Sequence, residues 1–366
     1  MSAIELKQLQ LTNFRSYNQL SWECKPGLNI IQGPNAAGKT NLLEAIGYLS
    51  FVRSIRQQQD QKIMSRGSSF FKIKGLCLSN KELMELDIVY QNNNKKLTIN
   101  RNQHRLIDLL GIFPVIFFGP DDLYLVKGSP FYRRQYLDRE ISIRDRSYCQ
   151  CLQTYRRILL QRNRLLREIK YGNCKVEELI PWNSQMVATG IIIIHKRRHF
   201  LEALAPLVQE IYAGMGAGEY LSLHYKPNIA NEEDWLAKIT VVERQEIEVG
   251  MSLWGPHRDD FTFLLDDFEA RFFASQGQQR SAVLALKIAE ANYFRQTIGV
   301  MPVLLLDDVF SELDLNRQSA LLELLQGAGQ TFLTTTEIAR LPQNLICDAT
   351  LWQLDGDNSD ILKIIN

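Results

Sequence analysis

The run Gly33-Pro34-Asn35-Ala36-Ala37-Gly38-Lys39-Thr40 stands between a short apolar segment, Leu28 to Ile31, and a segment whose apolar groups recur three and four apart from Leu42 to Leu49. An apolar run ending at a glycine reads as a buried strand, and the period that follows reads as a helix with one inward face. The loop between them carries the G-x-x-x-x-G-K-[ST] pattern, rare by chance in that strand–loop–helix setting. Its backbone N–H groups form a concave turn at the positive end of a helix, which suits a polyphosphate. Lys39 adds a point charge between the β and γ phosphates, and Thr40 offers a hydroxyl to the magnesium ion bridging them. Gly33, Pro34, Asn35, Ala36, Ala37, Gly38, Lys39 and Thr40 are therefore the candidate contacts for ATP and Mg2+.

A second motif lies far along the chain, where Val303 to Leu306 runs straight into Asp307 and Asp308. A fully apolar strand core belongs in a parallel sheet covered on both faces. Asp307 at its carboxyl end can hold magnesium through water, and Asp308 can orient the attacking water. Lys39, Asp307 and Asp308 are the candidate catalytic residues, with Thr40 and Asp307 the candidate metal ligands.

At 366 residues the chain exceeds the size of one core, and its 45% apolar and 23% charged residues suit a globular protein. The apolar run Ile191 to Ile194 meets His195, Lys196, Arg197 and Arg198 at once, so it spans no membrane. The N-terminal segment alternates and lacks the apolar core of a secretory signal, which gives a cytoplasmic expectation. Cys24, Cys77, Cys149, Cys151, Cys174 and Cys347 show no C-x-x-C pairing and read as reduced thiols. The net charge of +1 hides a segregation: Lys127 to Lys170 holds 12 basic and 4 acidic residues, a local excess of +8.

Strand patterns are expected at 4–11, 28–31, 70–78, 83–90 and 95–101, with a turn at Asn92, Asn93 and Asn94. From about Asp138 to Tyr212 the period is helical, and two long helices joined through Tyr171 to Pro181 form an antiparallel arm. Strand-like runs return at Tyr220 to Tyr225 and at Ala237 to Val242, and an α/β stretch follows from Ser275. The expected organisation is α/β, a P-loop ATPase lobe split by a mainly helical second lobe. Residues 1–122 carry the P-loop, 123–245 the inserted lobe, and 246–366 the rest of the ATPase lobe.

Downstream of Asp308 comes Ser311-Glu312-Leu313-Asp314, and upstream Ser275-Gln276-Gly277-Gln278-Gln279-Arg280 opens a helix. These resemble the D-loop and signature motif of ABC-type ATPases. A hydroxyl and a Cβ-less residue at a helix N-terminus make an anion site, while an ordinary cap by Ser275 is the plain alternative. Further blocks are LTNFRSY at 11–17, FFGPDDLYLVKGSPFYRRQYLD at 117–138, GPHRDD at 255–260, SQGQQRSAVLALKIAE at 275–290, LLLDDVFSELD at 304–314 and TTTE at 334–337. With the P-loop run, and in this order, they resemble the RecF family, bacterial relatives of the SMC heads in which a short helical lobe replaces the long coiled coil.

That resemblance implies a weak ATPase that dimerises with ATP and binds single-stranded and duplex DNA in repair and replication. It implies work with RecO and RecR in placing RecA at gaps. Ser275, Gly277 and Gln278 would grip the γ phosphate held by a second copy, and Arg15 would reach the nucleotide. Charge supplies the DNA surface: Arg133, Arg134, Arg156, Arg157, Arg162, Arg164 and Arg167 outnumber the acids near them in sequence, so several are expected to face solvent or a polyanion. Arg133, Arg134, Arg157, Arg164 and Arg167 are the candidate DNA contacts.

Two rivals stand beside this reading. An ABC transporter subunit would share the P-loop and signature, but no glutamine stands in 117–122 and Thr336 replaces the switch histidine. A small-molecule P-loop kinase would leave the signature and the basic arm without a purpose. His257 and Arg258 follow Gly255-Pro256 on a turn and could meet DNA, nucleotide or the adjacent Asp259 and Asp260. His195 and His199 are four apart on a helix and read as part of its basic face.

Overall fold

A computed structural model describes residues 4–54, 59–79, 82–216, 218–355 and 362–364, and the side chains of Glu312, Leu362 and Lys363 lie outside the described set. The chain forms two compact units, residues 1–122, 210–218 and 280–366 in one and 123–209 and 219–279 in the other. Residues 246–279, expected with the C-terminal part of the ATPase lobe, thus pack within the second unit.

The first unit carries two six-stranded sheets. One is antiparallel, in the order Tyr17–Glu23, Glu5–Phe14, Phe70–Ser79, Glu82–Gln91, Asn94–Ile99 and Asn102–His104. Its strand Phe70–Ser79 alternates along its length, and Glu82–Gln91 does so from Leu86 on, because one face meets the core. Asn92 and Asn93 hold φ of 50° and 61°, the left-handed pair that a two-residue hairpin turn needs. The other sheet runs Leu362–Ile364, Ala349–Leu354, Gly27–Gln32, Gln330–Thr335, Val303–Asp307 and Val115–Phe118, parallel except at its first pair. Every residue of Val303–Asp307 is buried, as a covered parallel strand requires.

The helix Lys39–Phe51 packs on both sheets, and burial on nearly every side explains why its sequence is apolar beyond a single stripe. Phe14, Tyr48 and Phe71 meet edge to face with centroids 5.6 to 6.4 Å apart, joining strand, helix and strand. The buried Gln330 amide joins the sheets directly: its oxygen accepts from Leu6 N–H at 2.7 Å, and its nitrogen donates to the carbonyls of Leu6 and Lys25 at 3.0 and 2.8 Å.

In the second unit the helix Pro130–Arg144 ends at Asp145, whose carboxylate then caps a new helix, Arg146–Lys170, by accepting from Tyr148 N–H at 3.0 Å. Periodicity alone had run the two together from about Asp138. The next long helix, Ile180–Gly214, starts with Pro181 in its first turn. Contacts between Asp145 and Lys196, Cys151 and Thr189, and Arg162 and Asn183 descend along one helix as they rise along the other, so the pair is antiparallel, as expected. A three-stranded antiparallel sheet of Phe268–Glu269, Asp260–Leu265 and Leu221–Lys226 completes the unit with the helix Glu232–Val249.

That last helix corrects the strand reading of Ala237 to Val242. The β-branched run Ile239 to Val242 favours a strand locally. Signals outside the run decide otherwise: Asn231 caps by accepting from Asp234 N–H at 2.8 Å, Glu232, Glu233 and Asp234 fill the first turn, and Gly250 closes the end at φ 73°. Burial of Trp235, Ile239 and Glu246 on one face fixes the outcome.

Candidate nucleotide site

The parallel strands place Ile31 beside Thr334 and Thr334 beside Asp307, so their carboxyl ends open on one edge of the sheet. Ligands of open α/β sheets bind outside that edge. The loop from Gly33 to Gly38 turns over it. Gly33 donates to the Thr335 carbonyl at 3.3 Å, and a Cβ at Gly33 would lie 2.6 Å from the Leu354 carbonyl oxygen, so only glycine fits. Gly38 holds φ of 103° with the Tyr17 and Ser16 hydroxyls where a Cβ would point.

Lys39 arches back over the loop and donates to the carbonyls of Gly33 and Pro34 at 2.7 and 2.9 Å. Burial pulls its ammonium pKa down, against the opposing pull of Asp308 and Asp307. An ammonium has three donors, so the one beyond these two carbonyls is available to an anion. Asp307 is nearly buried, and its carboxylate oxygens lie 3.0 and 2.8 Å from Thr40 Oγ1. Thr334 donates to the same carboxylate at 2.8 Å and accepts from Asp308 N–H at 3.1 Å, which orients the Asp307 carboxylate and holds the backbone at Asp308. Asp308 itself turns out of the strand at φ 52°. A hard divalent cation takes hydroxyl and carboxylate oxygens, so Thr40 and Asp307 suit magnesium. Lys39, Thr40, Asn35, Asp307, Asp308 and Thr336 are among the residues lining one cleft of about 310 Å3.

Thr334 escaped sequence reasoning as a site residue, although the TTTE block following an apolar strand carried the signal. So did the brace on the P-loop helix. Arg15 donates to both oxygens of Glu44 at 2.9 and 2.8 Å, Asn41 donates to Ser16 Oγ at 3.0 Å, and the Tyr17 hydroxyl donates to the Gly38 carbonyl at 3.1 Å. Three consecutive residues thus hold the cap and the first two turns of one helix at positions three apart. Arg15 also donates to the Lys62 carbonyl at 3.1 Å, and it does not line the cleft. Its guanidinium forms a bidentate pair with Glu44.

Ser275, Gly277 and Gln278 belong to the second unit. Ser275 is exposed and caps the helix Gln276–Ile298 reciprocally: Gln278 N–H donates to Ser275 Oγ at 3.2 Å, and Ser275 N–H donates to Gln278 Oε1 at 2.7 Å. The Gln278 amide nitrogen also donates to Glu219 at 2.6 Å.

Of the candidate DNA contacts, Arg157, Arg164 and Arg167 are exposed on the helix Arg146–Lys170. Arg133 is not: it is 5% exposed and bound bidentately to Asp260 at 2.6 and 2.8 Å, which removes it from a solvent-facing set. Arg162 is fully buried against Glu246 at 2.6 Å, and Arg156 pairs with Asp138 at 2.7 Å. Arg134 is half-buried on the Asp259 carbonyl at 2.8 Å. His257 bonds Tyr155 and the Ser252 carbonyl inside the unit.

A parallel sheet with this loop and this acidic strand end defines a P-loop nucleotide-binding protein, and the family match makes it a head of the SMC class. Residues 5–343 match the family model for the RecF/RecN/SMC N terminal domain. The chain is 63% identical to the DNA replication and repair protein RecF of Moorella thermoacetica, over 97% of this chain and 96% of that one. It is 37% identical to the RecF protein of Oceanobacillus iheyensis, over 96% and 99% of the two chains. Among solved structures, the recombination mediator protein RecF-ATP in the RecFOR pathway superposes with a TM-score of 0.91 at 30% identity, covering 100% of this chain and 98% of that chain. An SMC head bound to the C-winged helix domain of ScpA shares the fold, with a TM-score of 0.54 at 15% identity, covering 98% of this chain and 97% of that one. The chain belongs to the RecF family of DNA replication and repair proteins, which decides against a transporter subunit. Among the described residues no helix is long and apolar enough to cross a membrane.

Proposed function

We propose that this protein is a cytoplasmic, nucleotide-gated DNA clamp: it binds ATP and Mg2+, pairs with a second copy, holds single-stranded or duplex DNA, and hydrolyses ATP slowly. The observation that carries the reading is the convergence of Lys39, Thr40, Asp307 and Asp308 on one cleft in a RecF-family chain. Backbone N–H groups of the loop and the Lys39 ammonium take the phosphates. Thr40 and Asp307 would hold a magnesium ion, which would supply neutralisation of phosphate charge. Asp308 orients the attacking water, and as a carboxylate one methylene shorter than glutamate it reaches less far, hence the slow turnover. Arg15 acts through the helix it braces.

Ser275, Gly277 and Gln278 complete the site on a second copy. The Ser275 hydroxyl accepts its cap bond with a lone pair, so its proton remains for a phosphate oxygen. The relatives' place in the RecFOR pathway supports work with RecO and RecR in loading RecA. The test is equilibrium binding of the purified protein to single-stranded, duplex and gapped DNA, with and without ATP, at two salt concentrations. Tighter binding with ATP is expected. Equal binding with and without ATP on every substrate would remove the gating, and no binding to any of them would remove the DNA role.

A further inference from the structure

The second unit contains a turn built more rigidly than a surface loop needs. Gly255 holds φ of 130°, and a Cβ there would lie 2.5 Å from the Tyr155 hydroxyl and 2.7 Å from the Trp235 ring. Its N–H donates to Asn228 Oδ1 at 2.8 Å, and Arg197 donates to the Pro256 carbonyl at 2.6 Å. His257 is spent in the same cause. A carbonyl only accepts, so Nε2 donates to Ser252 O at 3.1 Å, and Nδ1 therefore accepts from the Tyr155 hydroxyl at 2.7 Å. The ring is neutral, its pKa lowered to about 4, first by burial, with Arg258, Arg134 and Arg162 adding to the effect.

What the turn presents is Arg258, exposed and, among the described residues, held by nothing stronger than the Ser252 carbonyl at 3.4 Å and Met251 Sδ at 3.5 Å. The carboxylates of the turn, and Asp138 near Arg134, are taken. Asp260 holds Arg133; Asp259 accepts from Arg197, Tyr225 and Asn228 N–H; Asp138 accepts from Arg197, Arg156 and Tyr148. Arg134, on the carbonyl of Asp259, has its pKa held below the ordinary value by burial and then by Arg197, despite those acids. A half-buried guanidinium in that state gains from an anion brought to it. The stem of Arg167 packs on the next bend, where a Cβ on Gly250 would lie 2.8 Å from its Cγ, so Arg167 and Arg258 flank residues 250 and 251.

We propose that the turn Gly255 to Asp260, with Arg258 at its tip and Arg134 beside it, is a preformed contact for a nucleic-acid phosphodiester, continuous with Arg167. The assignment rests on the DNA-binding reading above. Guanidinium groups carried on a rigid backbone match the fork geometry of phosphate oxygens, and the turn itself needs no ordering before it binds. An acidic protein segment would meet the same cations but would not respond to salt as counterion release from DNA does.

The experiment measures binding of labelled duplex DNA with ATP from 50 to 200 mM salt, for the parent, R258A, R258E and, as a control in the other unit, K96A. Each lost phosphate contact lowers the salt slope by about 0.9, so the affinity drop across that fourfold salt range shrinks by about 3.5-fold in R258A. R258E should bind more weakly than R258A, with K96A at the parental slope. Thermal unfolding and ATP binding verify that each variant is folded. A parental slope in R258A overturns the site while leaving the DNA role in place. Failure of the parent to bind any DNA overturns that role and the site with it.

Discussion

At the scale of single residues, Lys39 and Asp308 separate binding from chemistry. Lys39→Ala removes the ammonium that bonds Gly33 and Pro34 and that is proposed to take the phosphates. A charge-assisted bond of this kind contributes about 1.5–3 kcal/mol, so ATP affinity should fall roughly 10- to 10²-fold by equilibrium titration. An unchanged affinity would sink the P-loop assignment. Asp308→Asn leaves Thr40 and Asp307 in place and should keep ATP bound while single-turnover hydrolysis slows roughly 10²-fold; a parental rate would mean that another group prepares the water. His257 gives a pH prediction with a fixed sign. Its pKa is about 4 in the folded chain against the ordinary 6.5, so the unfolded chain binds the extra proton between those values. Stability from this group is complete above pH 6.5 and is lost as pH falls toward 4, a change of about 3 kcal/mol. In denaturant unfolding, His257→Gln should flatten that part of the profile, and parallel parent and variant curves would show that the ring is not buried neutral. The contrast in legibility is physical. Lys39 and Thr40 could be read because their chemistry depends on fixed local spacing. Arg133 could not, because the acid that neutralises it, Asp260, lies 127 residues further on, and a count of nearby acids never sees it.

At the scale of elements, the sequence shows a segment best when its own pattern decides the outcome. The strand Val303–Asp307 and the helix Lys39–Phe51 were plain for that reason. Ala237 to Val242 was misread because β-branched residues dominated a short window, whereas the cap at Asn231, the acidic first turn and Gly250 lay outside it. If that cap holds the helix as argued, Asn231→Ala should cost about 1 kcal/mol. Local hydrogen exchange in the first turn of Glu232–Val249 is the sensitive readout, and Asn231→Ser should restore protection there. Equal exchange in Asn231→Ala and the parent would mean that burial of Trp235 alone fixes the helix start. The break at Asp145 follows the same logic: an acid caps the second helix while both flanks keep a helical period, so periodicity runs straight through it.

For the whole molecule the open question is assembly, because the sequence puts half of the proposed site, Ser275 to Gln278, on a surface that one copy need not use for its own ATP. Ser275→Arg should abolish ATP-dependent dimerisation in sedimentation while leaving ATP binding intact, but arginine also forfeits the N-cap, at a local cost of about 1 kcal/mol. Ser275→Asp separates the two effects. Aspartate caps a helix as well as serine does, so the bond from Gln278 N–H survives, yet its charge opposes a γ phosphate brought by a second copy. The expected result is a monomer with ATP for both variants, with Ser275→Asp unfolding at the parental temperature. Were Ser275→Asp to dimerise like the parent, Ser275 would be only the cap of Gln276–Ile298, and the second copy would have to close the nucleotide site with other residues.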